Sequence, residues 1–122
     1  MNLSEITKTL VSEIKLTEIQ AKIFLHVVIQ GRMNTAQISN DLDISFDDAT
    51  QNSKKLVELG GFIDMPNDEF EAMHPRFTAV NMYRKMCERE QKEFKKNLDM
   101  DNIGVALEVS YDDARTKYNK KR

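Results

Sequence analysis

"ISFDDATQNSKKLVELGGF", residues 44–62, carries the start, the faces and the stop of one helix. Ser45 stands where a hydroxyl accepts an amide of the first turn. Asp48, three residues on, is placed to accept backbone N–H groups at the positive helix end. Ala49, Ser53 and Leu56 recur at helical spacing as an inner stripe, and Gly60-Gly61 ends the run. The opposite face holds Asp47, Thr50, Gln51, Lys54 and Glu58, with Lys55 at its edge. The neighbours of this helix decide which fold it serves.

Upstream, Leu3, Ile6, Leu10 and Ile14 predict a short amphipathic helix with Ser4 as its cap. Thr17 and Gln20 have the spacing of a capping box, and Leu16 and Ala21 that of a hydrophobic staple. From Ile19 to Ile29 apolar residues occupy nearly every side, which predicts the most buried helix of the chain, ended by Gly31. Thr35 is the expected cap of a third helix with Ile38, Ser39 and Leu42 inward. Asp43-Ile44 makes a tight connection into the Ser45 helix, and Asp tolerates the left-handed backbone such a turn demands. Downstream, "FIDMPNDEFEAM" alternates around Pro66-Asn67-Asp68 as a β-hairpin does. Helices followed by a hairpin, with a short turn between the second and third helix of the motif, predict a mainly α winged helix-turn-helix over residues 1–74.

Residues 75–122 have another texture. Phe77, Val80, Cys87, Phe94 and Leu98 lie near a seven-residue period with Tyr83 and Met86 beside them, interrupted by Arg84 and Gln91. This predicts a linker helix of about 20 residues whose apolar seam holds two copies together through Phe77, Val80, Tyr83, Cys87, Phe94 and Leu98. Ile103, Leu107, Tyr111, Ala114 and Tyr118 predict a last helix that frays from Asn119; Val105 and Val109 also fit a short strand over 104–109, and helix is the preferred assignment.

Length and charge narrow the functions. At 122 residues the chain suits one domain, or a small domain with an appendage. Its net charge of −2 divides unevenly. Residues 1–74 hold six Lys/Arg against twelve Asp/Glu, and residues 75–122 hold twelve against eight. An acidic front and a basic back reverse what a simple DNA-binding head would show. A single cysteine excludes an intramolecular disulfide, and the N-terminus lacks the order of a signal peptide, so a reduced, cytoplasmic setting is expected.

The stretch "LTEIQAKIFLHVVIQGRMNTAQISNDLDISFDDATQNSKKLVELGGFI", followed by "FEAMHPRFTAVNMYRKMCERE", resembles the DNA-binding domain and linker helix of the TrmB-like archaeal transcription regulators. The likeness covers about residues 15–97. It implies a winged helix-turn-helix, double-stranded DNA as partner, residues 46–59 as the recognition helix, and dimerisation through the helix after the wing. Family members commonly carry a sugar-binding domain beyond that helix; with the chain ending at Arg122, sugar sensing is not expected. Their recognition helices usually begin with basic or hydroxyl residues, whereas this one begins with Phe46, Asp47 and Asp48.

Base-edge chemistry then assigns roles on that helix. Gln51 suits a bidentate contact to adenine, Thr50 a thymine methyl, and Lys54 guanine or phosphate, with Lys55 beside it. Asp47 repels phosphate but can accept from cytosine. Arg32, Gln37 and Asn67 are candidates for backbone contacts, and Arg76, Arg84, Lys85, Arg89, Lys92, Lys95 and Lys96 a reserve of positive charge. Catalysis is not expected: Asp112 and Asp113 point about 100° apart on a helix, and no phosphate-binding glycine loop or nucleophile triad is present. His26 and His74 lack metal-ligand spacing, no cofactor is implied, and Cys87 is expected to be buried. The expected function is a homodimeric transcription regulator. The alternative is a winged-helix protein-interaction module of the transcription machinery, its acidic face meeting a basic partner.

Overall fold

Helix α2 (Glu18–Gln30) is the axis of the fold, and its ends are set locally. Thr17 Oγ1 accepts from Gln20 N at 3.2 Å while Gln20 Oε1 accepts from Thr17 N at 3.0 Å, so the expected capping box is complete. Gly31 ends it at φ +93, a value that a side chain rarely tolerates. Between them Ala21, Ile23, Phe24, Leu25, Val27 and Val28 are buried. The computed structural model describes residues 1–120, with side chains through residue 116.

Helix α1 (Leu3–Glu13) lies against α2 through Ile6 and Leu10, and Ile14 is buried just beyond it; Leu3 is exposed. Its cap is Asn2, whose Oδ1 accepts from Glu5 N at 2.8 Å, rather than Ser4. After Gly31 comes a two-residue strand that the sequence did not signal, β1 (Met33–Asn34). Helix α3 (Thr35–Leu42) is capped one residue earlier than expected, by Asn34 in a second capping box with Gln37. Thr35 is instead buried, its backbone N and Oγ1 donating to Asp68 O at 3.2 and 3.3 Å. That bond ties the hairpin tip to the start of α3. Asp43 adopts the left-handed conformation at φ +53, and Ser39 Oγ donates to Ile44 O at 2.6 Å across the turn.

Helix α4 (Phe46–Leu59) follows, then β2 (Phe62–Met65) and β3 (Glu69–Ala72) as the expected hairpin. Asn67 and Asp68 both have positive φ at its tip. The antiparallel sheet has the order β1-β3-β2, with Met33 opposite Phe70 and Phe62 opposite Ala72. Phe24, Phe62 and Phe70 form an aromatic row with centroids about 6 Å apart, joining helix to sheet. Gly61 permits close packing, since a Cβ there would lie 2.8 Å from Met82 Sδ.

The C-terminal region departs from expectation. Helix α5 (Pro75–Arg89) begins at a cap made by His74 and stops at Arg89; Gln91 turns left-handed at φ +55. Residues 90–97 connect it to α6 (Leu98–Lys120), which folds back against both α5 and α2. Among the described residues no continuous 20-residue seam follows the hairpin. Cys87 is buried, Val80 and Tyr83 are half-buried, and Phe77, Phe94 and Leu98 are exposed, so the six expected seam residues do not share one environment. Heptad-like spacing continued past the helix end because the Phe94 ring packs back on Tyr83, 6.1 Å away, from a loop. Met82 of α5 and Met100, Ile103, Leu107 and Tyr111 of α6 belong to the same core as Phe24, which therefore runs across the expected boundary at residue 75. Residues 104–109 are helical, not strand. Helix α6 continues through Asn119 and Lys120. The expected place of Tyr118 on the buried face lies outside the described side chains, and the expected loosening at Lys121-Arg122 outside the described residues. Among those residues no helix is long and apolar enough to cross a membrane.

Candidate nucleic-acid interface

The outer face of α4 is held out to solvent by its inner stripe. Ala49, Ser53, Leu56 and Leu59 are buried against the core, which turns Asp47, Gln51, Lys54, Lys55 and Glu58 outward. Ser45 Oγ accepts from Asp48 N at 3.0 Å, as expected of the cap. No reciprocal bond to the Asp48 carboxylate completes a box, so that carboxylate acts on the helix through its charge alone. Gly60 closes the helix at φ +90.

Four of these five side chains, and the half-buried Thr50 beside them, are already engaged. Gln51 Nε2 donates to Asp47 Oδ2 at 3.0 Å, one turn apart. Lys55 Nζ lies 3.2 Å from Glu58 Oε2, and both are exposed. Thr50 Oγ1 donates to Phe46 O at 2.9 Å, leaving its methyl as the contacting group. Lys54 is exposed and has no ion pair among the described residues. The Asp47 bond uses one amide proton of Gln51 and fixes the plane of the amide. The second proton and the carbonyl oxygen still suffice for a bidentate contact to adenine.

The three proposed backbone contacts separate. Asn67 is exposed at the hairpin tip, in a left-handed backbone conformation. Gln37 is exposed too, but its side chain closes the α3 capping box. Arg32 is not a free surface cation. Its guanidinium bonds Glu69 at 2.8 and 3.0 Å with 15% of the side chain exposed, clipping the approach to β1 onto β3. Nothing local in the sequence announced that pair, 37 residues apart. The basic reserve is also partly spent: Arg76 pairs with Glu108 at 2.8 Å, Lys92 with Glu90 at 3.1 Å and Lys95 with Glu93 at 3.7 Å. Lys85 packs beside Gly60, near the C-terminal end of α4.

Three features escaped the sequence. Phe46, the first residue of α4, is 59% exposed, an aromatic ring beside Asp47. Ser53 Oγ is buried without a hydrogen-bond partner. A third is the cluster of His74, Glu108 and Asp112, whose ligand-type atoms lie within 4.8 Å of one another although the sequence spacing gave no sign of it. His74 Nδ1 accepts from Arg76 N at 3.2 Å, so the neutral ring carries its proton on Nε2, the nitrogen that faces Glu108 at 3.8 Å. The Arg76 guanidinium donates twice to Glu108 Oε2, which leaves Oε1 toward His74. The cluster caps α5 and fastens it to α6.

No protein-family model matches the chain, and neither does any curated protein or solved structure. Any functional reading therefore rests on the geometry and on the sequence resemblance.

Proposed function

We propose that the chain is a winged helix-turn-helix DNA-binding regulator of the TrmB-like kind, docking α4 in the major groove of double-stranded DNA as a homodimer. One observation carries this reading. Helices α3 and α4, joined through a left-handed Asp43, hold out a polar α4 face beside a hairpin whose tip is tied to α3. Gln51, Thr50 and Lys54 on that face have the chemistry to read base edges, and the exposed Asn67 amide at the tip suits a phosphate oxygen. The charge of α4 itself, three acids against two lysines, keeps non-specific affinity low. Asp47 then has two effects: it repels phosphates generally, and it sets the Gln51 amide for one base. Asp47→Asn should raise affinity for random duplex and narrow the gap between preferred and random sequences. Unchanged affinity for both duplexes would remove Asp47, and with it this account of the α4 face, from DNA reading.

A second reading has its own observation. The exposed Phe46 ring, next to Asp47 and Asp48, suits a basic, apolar-faced protein partner better than it suits phosphate. On that reading α4 is a docking helix within the transcription machinery. Phe46→Ala distinguishes the two: it abolishes protein docking but lowers DNA affinity only slightly.

A further inference from the structure

Where the hairpin gives way to α5, three side chains of ligand type converge. His74 caps α5, while Glu108 and Asp112 stand one turn apart on the same face of α6. One nitrogen or oxygen from each lies within 4.8 Å of the other two, and no other set of three such groups converges among the described residues. Two of the three are held in place by their neighbours. The His74 ring packs edge-on to Phe77 and Tyr111, with centroids 6.2 and 5.1 Å away. Arg76 pins Glu108 Oε2 with bonds of 3.0 and 2.8 Å, which leaves Oε1 facing His74 Nε2 at 3.8 Å. That gap is too long for a hydrogen bond but close to the spacing of two ligands on one small cation. Metal–ligand bonds of about 2.1 Å at tetrahedral angles put ligand atoms about 3.4 Å apart. The exposed Asp112 carboxylate has no hydrogen bond or ion pair among the described residues, so a change of rotamer can close the remaining distance.

We propose that His74 Nε2, Glu108 Oε1 and the Asp112 carboxylate form a binding site for a first-row divalent metal ion of the zinc type. Charge favours a cation here. Nδ1 of His74 accepts from Arg76 N at 3.2 Å, so the ring is an uncharged imidazole, and two carboxylates face a single guanidinium. One imidazole with two carboxylates suits a zinc-type ion better than magnesium or calcium, which prefer oxygen ligands alone. Three protein ligands leave a fourth position, on the exposed Asp112 side, for water. Coordination takes the Nε2 lone pair: the proton there leaves to water and one is taken up at Nδ1, so the ring remains neutral. The bond from Arg76 N is given up, and that first-turn amide turns to water. Phe77 N and Thr78 N still donate to His74 O, so the start of α5 persists. The nearby Arg76 charge and the lost cap bond keep the affinity modest. The bound ion joins the end of the wing to α6.

This site is independent of how α4 is used. The test is calorimetric titration of the metal-free full chain with Zn²⁺, beside Mg²⁺, together with ¹⁵N NMR of the histidine rings. Wild type should bind one Zn²⁺ per chain and no Mg²⁺, and its thermal midpoint should rise with Zn²⁺ because the ion binds only the folded arrangement. The His74 ring should change from the Nε2–H to the Nδ1–H tautomer, a signature that a general charge effect does not produce. Asp112→Asn, at an exposed position, should keep the fold and weaken Zn²⁺ binding at least ~10-fold. His26, whose Nε2 already lies 2.8 Å from Asp41 Oδ2, is the internal control and should keep its signals. Absence of Zn²⁺ binding, equal binding by wild type and Asp112→Asn, or ring signals that shift at His26 alone would each overturn the site.

Discussion

Helices α2 and α5 are both part of one core, yet their ends are fixed by different means. The start and stop of α2 are written into neighbouring residues, Thr17 with Gln20 at one end and Gly31 at the other. Helix α5 begins as clearly, at His74-Pro75, but its end has no comparable signal: Glu88, Arg89, Glu90 and Gln91 read as more helix. Its true end is imposed from outside, where α6 returns across α5 and the 90–97 connection must turn. Caps are local and so are their signals. An apolar stripe records only that something covers it, not whether the cover is the same chain or another.

If α6 is as much a part of the core as α2, mutations in the two helices should hurt alike. Phe24→Ala should cost about 3–5 kcal/mol, since the ring is fully buried in the Phe24–Phe62–Phe70 row. Leu107→Ala should cost about 2–5 kcal/mol in the same chemical denaturation experiment, with one transition rather than two. A loss under about 1 kcal/mol at Leu107 would make α6 an appendage and restore the boundary at residue 75.

Smaller effects sharpen the contrast between caps that bond and caps that only carry charge. Ser45→Ala removes the Oγ acceptor of Asp48 N and should cost about 1 kcal/mol. Asp48→Ala should cost less, about 0.3–1 kcal/mol, because only the charge–dipole interaction is lost. The reverse order in thermal or chemical melts would mean that the Asp48 carboxylate also bonds the first turn. Ser53→Ala is the smallest: a buried hydroxyl with no partner gains nothing for the fold, so its removal should be neutral or slightly stabilising. Destabilisation beyond about 1 kcal/mol would point to a partner for that hydroxyl.

The element order through β3 was readable because each element is bounded by Ser, Thr, Asn, Asp or Gly at a position its backbone requires. Strand β1 was not, since two residues carry no period. The α4 face was legible as a polar stripe, but its internal bonds, Gln51 to Asp47 and Lys55 to Glu58, depend on rotamers. The loss of Arg32 as a candidate depends on Glu69, brought near only by the pairing of β1 with β3. Spacing in sequence tells which residues share a face; it does not tell which of them are already spoken for.

The claim on which the functional account turns is that α4 meets DNA. Fluorescence anisotropy of a labelled genomic duplex, titrated with wild type and with Lys54→Ala at about 50 and 200 mM salt, tests it directly. The expected result is wild-type binding that weakens steeply with salt. Lys54→Ala should bind less tightly, with a salt slope smaller by about one. Absence of binding at the lower salt, or identical curves for the two proteins, would contradict it and leave α4 as a surface for protein.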